Sequence, residues 1–503
     1  MGYPQARLFG QGETADMKKD RWLTLSFTLA ALLLRLPFAS RHLYHWDSVN
    51  YALSLERYDV RLHQPHPPGY FLYSMLGKLV NRVLPDANAA LVAISIVFGA
   101  LGIGAFYLLA LKLVNRPVAI AASLLALSSP LLWFEGEVAL NYSLDFFLVS
   151  LTVLLLIKQW QGNRGLWFWS AFALGVTGGV RLHDIVFLGP LWLLALVRLN
   201  WKQRLLSLLT LVMVVLAWFI PMTALSGGLS AYIRAFLAES SAITDEASIF
   251  IINQLGLNTS RVAIYLFYGL LAGVVPLAWG FWHLLRNWKT SLPHPLSLPL
   301  SLWLAPGLLF FVLIHIRQAG HVIILLPALL LLAGWSVVQM MKQWGKPQFT
   351  PWLVGALCLV NLVFFLAAPA ALLGSNRLPM QTPSRASLVQ RDVFLAEHLT
   401  YVKENFPAAE TVVIAGGLNI RHPDYYLRDF QRTDLSYRIT EEWIPLPDGV
   451  ENLVLFDEQI FPGLIADKLV EQPFADGSSI RSISWNSDQE LWISLAGLEI
   501  RER

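Results

Sequence analysis

Cysteine is almost missing from this 503-residue sequence, and the one present, Cys358, lies inside an apolar run. That excludes a disulfide framework and a cysteine metal site. Charge is scarce too: Asp, Glu, Lys and Arg make up 14% of the chain, against about 25% in an ordinary soluble domain. With 55% hydrophobic residues, the shortage excludes a soluble globular protein. The formal net charge of +3 is small and the basic residues gather at segment ends, which excludes a nucleic-acid partner. Neither an internal repeat nor a low-complexity tract stands out. The glycines of Ala415–Gly417 lack the GxGxxG spacing of a nucleotide fingerprint.

What the chain has instead is apolar runs. A bilayer-crossing helix takes roughly 20 apolar residues, and such runs lie near 22–41, 89–113, 117–134, 142–159, 165–181, 183–199, 204–222, 261–284, 297–315, 321–341 and 351–373. Trp22, Trp133, Trp160 and Trp344 flank them as interfacial belts do. The first run follows Lys18, Lys19 and Arg21, and PFAS near its end resembles a weak signal-cleavage site. Its length and the internal Arg35 favour an uncleaved first span. Lys112 with Arg116, Lys158 with Arg164, Arg198 with Lys202, Arg286 with Lys289, and Lys342 with Lys346 then all fall on the side of the N-terminus. The positive-inside rule makes that side cytoplasmic, and an odd number of spans places the C-terminal part outside.

From Leu378 the composition becomes that of a soluble domain. VFLAEHLTYVKENFP reads as an amphipathic helix, and TVVIAGG, VENLVLFDE, IRSISW and ELWISLAG each contain a strand. The expected fold is therefore an α-helical polytopic membrane protein of about eleven transmembrane helices. Residues 1–21 form a cytoplasmic segment, 22–373 the transmembrane domain, and 374–503 a small C-terminal α/β domain on the outer face.

The first outer segment, 41–88, is the most unusual. HWDSVNYALSLERYDV reads as a short helix with Asp47 at its N-cap. PPGYFLYSMLGKLVNRVLP reads as a second helix with Pro67 and Pro68 in its first turn. Phe71, Met75 and Leu79 share one side and Lys78 and Arg82 another, the pattern of amphipathic helices lying in the interface. Between them HQPHPPGY makes a rigid elbow, with Tyr70 and Tyr73 read as belt aromatics. The third outer segment, 226–260, holds AYIRAFLAES, a candidate surface helix. Asp145, just inside the fourth span, needs a partner at that depth. Glu135 and Glu137 in WFEGEVALNY, taken singly, read as solvated loop acids. Arg181 and Arg317 sit at outer span ends, against the cytoplasmic bias, and either snorkel to headgroups or hold an anion.

WDS with HPPGY downstream, Phe134-Glu135-Gly136-Glu137 with Asn141-Tyr142, and GVTGGVRLH ending at His183 together resemble the GT-C superfamily of integral membrane glycosyltransferases. The resemblance is nearest to the protein O-mannosyltransferase-like and lipid A sugar-transferase-like branch, and it follows the order of spans over residues 20–340. It implies transfer of a sugar from a polyprenyl-phosphate donor to an acceptor hydroxyl on a glycan, glycolipid or protein. It also implies a multi-pass protein of the plasma (inner) membrane.

Within that resemblance Asp47 is the general base, since a hydroxyl attacking an anomeric carbon needs a carboxylate to take its proton. Glu135, Glu137 and Asp145 are the second acidic candidates. His63, His66, Arg181, His183, Arg317 and His321 are candidates for binding the donor phosphate or sugar, because fixed cations stabilise the charge that grows on a leaving phosphate; His315 is placed like them. Many relatives carry two adjacent acids where this chain has Asp47-Ser48, so a divalent metal is left open and no cofactor is assigned. His63 and His66, with Pro65 between them, are not a standard metal pair. The alternative is a transporter or flippase of a glycolipid, which would show broken helices in paired positions and an internal repeat. A third reading, a non-catalytic scaffold, would leave the first-loop constellation unexplained.

Overall fold

The computed structural model describes residues 11–247, 254–286, 294–370, 382–431, 443–446, 449–456, 469–484, 491–494 and 499–502. Each apolar run read from the sequence contains helix. The long ones are α1 (Gln11–Arg35), α4 (Ala87–Leu113), α7 (Tyr142–Trp160), α10 (Trp201–Leu225), α12 and α13 (Leu255–Leu270, Val274–Arg286) and α16 (Thr350–Ala367). Among the described residues, the stretches around these are the six that are long and apolar enough to cross a membrane. Shorter helices lie between them: α5 (Arg116–Ser128), α6 (Pro130–Phe134), α8 (Trp167–Val180), α9 (His183–Leu196), α14 (His294–Leu313) and α15 (Leu326–Gln343).

Two of these helices form the centre. α4 and α7 are each 72% buried over their apolar windows, whereas α10 and α16 are 17% buried. Small residues allow that approach: a Cβ at Gly102 of α4 would stand 2.5 Å from the Phe146 ring of α7. Leu205, Leu208, Met213 and Ile220 of α10 are exposed. An apolar face that wide suits lipid rather than water.

The first loop folds differently from its sequence reading. Helix α2 (Trp46–Glu56) is capped by His45, whose Nδ1 accepts the Asp47 N–H at 3.1 Å, while Ser48 Oγ accepts the His45 N–H at 3.3 Å. Asp47 is thus in the first turn, not at the cap. Residues Asp47 to Leu55 are all buried, so α2 is no surface helix. Helix α3 (Phe71–Asn81) starts after both prolines rather than on them. Gly69 has φ +114, and a Cβ there would stand 2.8 Å from both Met222 Sδ and Tyr58 Oη, so both its conformation and its surroundings demand glycine. Tyr73 is fully buried and Tyr70 packs edge-on against Tyr51 at 5.5 Å, so neither is a belt residue. AYIRAFLAES lies in α11 (Leu229–Ala247).

The C-terminal part is α/β, as its composition indicates. Helix α17 (Arg385–Asn405) lays Leu395, Leu399 and Val402 on Val454, Phe456 and Ile480. The strands with sequence signals are β1 (Thr411–Ile414), β3 (Asn452–Leu455), β5 (Ser479–Ser484) and β6 (Leu491–Ser494). Polar or short strands carried no such signal: β2 (Trp443–Pro445), β4 (Val470–Pro473) and β7 (Glu499–Glu502). One sheet runs β1-β3-β5-β4 with β1 and β3 parallel, and the other runs β2-β6-β7. A short helix, α18 (His422–Tyr426), follows β1. The expected boundary at 373/374 lies outside the described residues.

Candidate active site

A cavity of about 960 Å³ lies where α2, the elbow, α11 and the ends of α7, α8, α9 and α14 converge. Asp47, His63, His66 and Tyr70 line it from the first loop. Tyr142, Arg181 and His183 line it from α7 and the α8–α9 junction, and His315, Arg317, Gln318 and His321 from the turn after α14. Sequence segments far apart are brought to one chamber.

Asp47 is the best-supported group in it. Its side chain is buried, with Oδ1 3.2 Å from His66 Nδ1 and Oδ2 3.4 Å from His45 Nδ1. Gln318 Nε2 donates to Oδ2 at 2.5 Å. Burial works against charge on Asp47, but the His66 and His45 rings and the Gln318 amide outweigh it and hold the carboxyl well below the usual carboxylate range. Asp47 is an anion throughout the neutral pH range.

The elbow fixes the partner of that anion. Tyr58 Oη donates to the Gly69 carbonyl at 2.6 Å and Tyr232 Oη to the Pro68 carbonyl at 3.1 Å, which pins HPPGY from two sides. His66 then packs against the Tyr70 ring at 4.9 Å and faces Asp47.

Arg181 stands across the same network. It is 2% exposed, and Nη1 donates to Asp145 Oδ2 at 2.9 Å while the guanidinium lies 4.9 Å from the Tyr142 ring centroid. A side chain so enclosed does not snorkel. Tyr142 Oη donates to Gln318 Oε1 at 2.7 Å, and Gln318 donates in turn to Asp47. The chain Arg181–Tyr142–Gln318–Asp47 therefore links a fixed cation to a fixed anion. Tyr142 enters the sequence reading only as part of the motif that carries the resemblance, and Gln318 and Asp184, the latter fully buried in the first turn of α9, are not singled out there as site residues.

The remaining candidates divide. His315 and His321 face each other at 5.5 Å between ring centroids, and His183 stacks on Phe310 at 6.5 Å, so all three contribute to one wall. Arg317 is in the cavity, its basicity lowered by burial and partly restored by Glu239. His63 lies 4.0 Å from Glu239, and burial beside His66 and Arg421 pushes its pKa down to about 4. It is a neutral ring at pH 7, not a cation for phosphate. Asp145 reaches the cavity through Arg181 rather than lining it. Among the described residues no group of three or more His, Cys, Asp or Glu is arranged to hold a metal ion.

Glu135 and Glu137 are not solvated loop acids. They are 4% and 0% exposed and do not line the cavity. Burial raises Glu135 to about 8, with Arg181 opposing, and Glu137 to about 9, with Arg35 and Trp133 opposing. Both are raised above an unfolded value of about 4.3. The folded chain holds protons that the unfolded chain loses, so stability falls as pH rises from about 4.5 to about 9, by up to about 1.4 kcal/mol per pH unit for each group. Thermal unfolding in detergent should therefore show the wild-type midpoint dropping between pH 6 and pH 9 more steeply than that of Glu137→Gln. Parallel curves would mean that Glu137 is ionised in the folded protein.

Residues 57–205 match the family model of the protein O-mannosyl-transferase TMEM260 N-terminal domain. The crystal structure of ArnT from Cupriavidus metallidurans bound to undecaprenyl phosphate superposes with a TM-score of 0.57 at 15% identity, covering 92% of this chain and 97% of that one. The apo oligosaccharyltransferase of Archaeoglobus fulgidus gives 0.51 at 11% identity, over 88% of this chain and 70% of that one. Both are GT-C glycosyltransferases. The chain has the GT-C fold. No curated protein matches the sequence. The matched stretch holds the elbow, Glu135, Glu137 and Arg181 but not Asp47 or Gln318.

Proposed function

We propose that this protein is a GT-C glycosyltransferase that moves one sugar from a polyprenyl-phosphate donor to an acceptor hydroxyl, with Asp47 as the general base. The observation that carries the reading is the chain along one cavity in which Asp47, Gln318 and Tyr142 are hydrogen-bonded in turn and the Arg181 guanidinium lies over the Tyr142 ring. The acceptor oxygen attacks the anomeric carbon, the bond from that carbon to the phosphate oxygen breaks, and the electron pair leaves with the lipid phosphate. Asp47 takes the hydroxyl proton as the new bond forms, and its charge also offsets the positive charge developing on the sugar. Arg181 and Arg317 stabilise the leaving phosphate, and His183 and His321 add polar contacts on the same wall.

In this reading the bilayer is crossed about eleven times. Residues 1–21 are cytoplasmic, 22–373 form the transmembrane unit, and 374–503 stand on the outer face of a plasma (inner) membrane, as the lysine and arginine distribution supports. A lipid donor enters sideways between spans and the acceptor comes from outside. The chamber, at about 960 Å³, is large enough for a phosphosugar.

The test uses the purified protein in nanodiscs, a panel of polyprenyl-phosphate sugars, and native membrane extract as acceptor. Release of free polyprenyl phosphate with one donor is expected. Movement of labelled donor between leaflets with no phosphate release from any donor would instead support a flippase.

A further inference from the structure

The segment that leads to Asp47 meets the transmembrane part through Ser40, which bonds to Glu137 and Asn88, and it is tied residue by residue to the C-terminal domain. Asp392 of α17 accepts the backbone N–H of Arg41 at 3.0 Å and of His42 at 2.9 Å, and the hydroxyl of Ser40 at 3.3 Å. Tyr426 Oη accepts the Leu43 N–H at 2.8 Å, His422 Nε2 donates to the Leu43 carbonyl at 2.7 Å, and Arg391 Nε donates to the Tyr44 carbonyl at 2.9 Å. Every residue from 40 to 44 is thereby tied to the C-terminal domain, and the next one, His45, is the cap of α2.

A second tie lies one turn further on. Arg421 Nε donates to Asn50 Oδ1 at 3.0 Å and its Nη2 to the Leu62 carbonyl at 3.1 Å. One guanidinium thus bridges the side of α2 and the chain just before His63. Arg421 is itself braced by Asp424 at 2.7 Å, and the residue before it, Ile420, lines the cavity. The chamber is incomplete without the C-terminal domain.

We propose that the C-terminal domain is a positioning unit for the catalytic loop, and that Asp392 and Arg421 are its positioning residues. Neither need touch the reacting atoms: Asp392 fixes the path into α2, and Arg421 fixes its rotation and its distance from the elbow. A planar guanidinium is suited to that bridge, since it serves two acceptors in set directions where an ammonium is a single flexible point. The proposal rests on the reading of Asp47 as the working carboxylate, so the test has an arm that needs no substrate.

Hydrogen exchange of the full-length protein in nanodiscs supplies that arm. In Arg421→Ala, and separately in Asp392→Asn, exchange across residues 45–56 should rise about tenfold or more while α4 stays protected. Arg428→Ala removes the exposed pair with Glu56 at the far end of α2 and local contacts with Tyr425, none of them on the path into α2 or the elbow, and should change little. In turnover assays kcat should fall about tenfold or more in Arg421→Ala with KM for the lipid donor unchanged, because the donor cations stand on another wall, and Arg421→Lys should recover part of it. Unchanged exchange at 45–56 in both variants would overturn the proposal whatever happens to turnover. Increased exchange in a protein whose wild type transfers no sugar would leave the clamp standing and remove the glycosyltransferase reading instead. Asp392→Asn keeps the side-chain shape, so it reads the clamp even if Arg421→Ala does not fold.

Discussion

Asp47→Asn should lower kcat by about 10²–10⁴-fold, the range a positioned general base contributes, with little change in KM for the lipid donor. The substitution is close to isosteric, and the amide oxygen still accepts from Gln318 Nε2. Nor is the helix undone, because His45 and not Asp47 supplies the cap of α2. A cap loss costs about 1 kcal/mol and none is expected here, so any fall in the thermal midpoint reads the lost pairing of the carboxylate with His66 and His45 and not an unwound α2. Two roles for the carboxylate are thus separated by one variant. A purely structural acid would move stability and leave turnover of the folded protein alone, whereas a base lowers turnover far beyond any loss of folded protein. The depressed carboxyl adds a pH signature: Asp47 stays ionised as pH falls toward 5, so any acid limb of the rate profile above that belongs to another group. Turnover by Asp47→Asn equal to wild type, in release of polyprenyl phosphate, would end its assignment as base.

The parts of this molecule that could be read in the sequence were those set by local pattern. Apolar runs gave the helices because a span must be apolar along its whole length, and the short apolar runs in TVVI and NLVL marked β1 and β3, which pair side by side. The demand that Asp145 be partnered also came from depth alone, and Arg181 meets it. Tertiary cover escaped such reasoning. The polar residues of α2 look like a solvated face, yet Asn50 is covered by Arg421, some 370 residues away, and Ser54 by Ser74 of α3. Gln318 is a neutral amide in a short turn and becomes a site residue only when α14 brings it to Asp47. Glu135 and Glu137 look like loop acids because two charges flanking a glycine resemble a turn, and nothing local shows that Arg35 of α1 lies against that glycine, where a Cβ would meet its Nε at 2.6 Å.

The largest effect on stability should come from Arg181→Met. Methionine replaces much of the side-chain volume but leaves Asp145 and Asp184, both fully buried, without the guanidinium that lies between α7 and α9. Breaking a buried pair by removing one partner costs about 3–5 kcal/mol, because the remaining charge has neither water nor a counter-ion. Unfolding followed by tryptophan fluorescence in detergent should show a loss of that size, and adding Asp145→Asn to the same chain should recover part of it. A side chain that merely snorkelled to headgroups would give a loss below about 1 kcal/mol, and that result would contradict the enclosed geometry. Activity supplies an independent reading, since a lost donor to a developing anion lowers kcat by about 10²–10³-fold. The two effects part in Arg181→Lys, which keeps the charge opposite the acids but loses the planar fork over Tyr142. Stability should then return further than turnover, because compensating Asp145 takes only a cation, whereas steadying both a leaving phosphate and the Tyr142–Gln318–Asp47 chain takes the shape of the guanidinium.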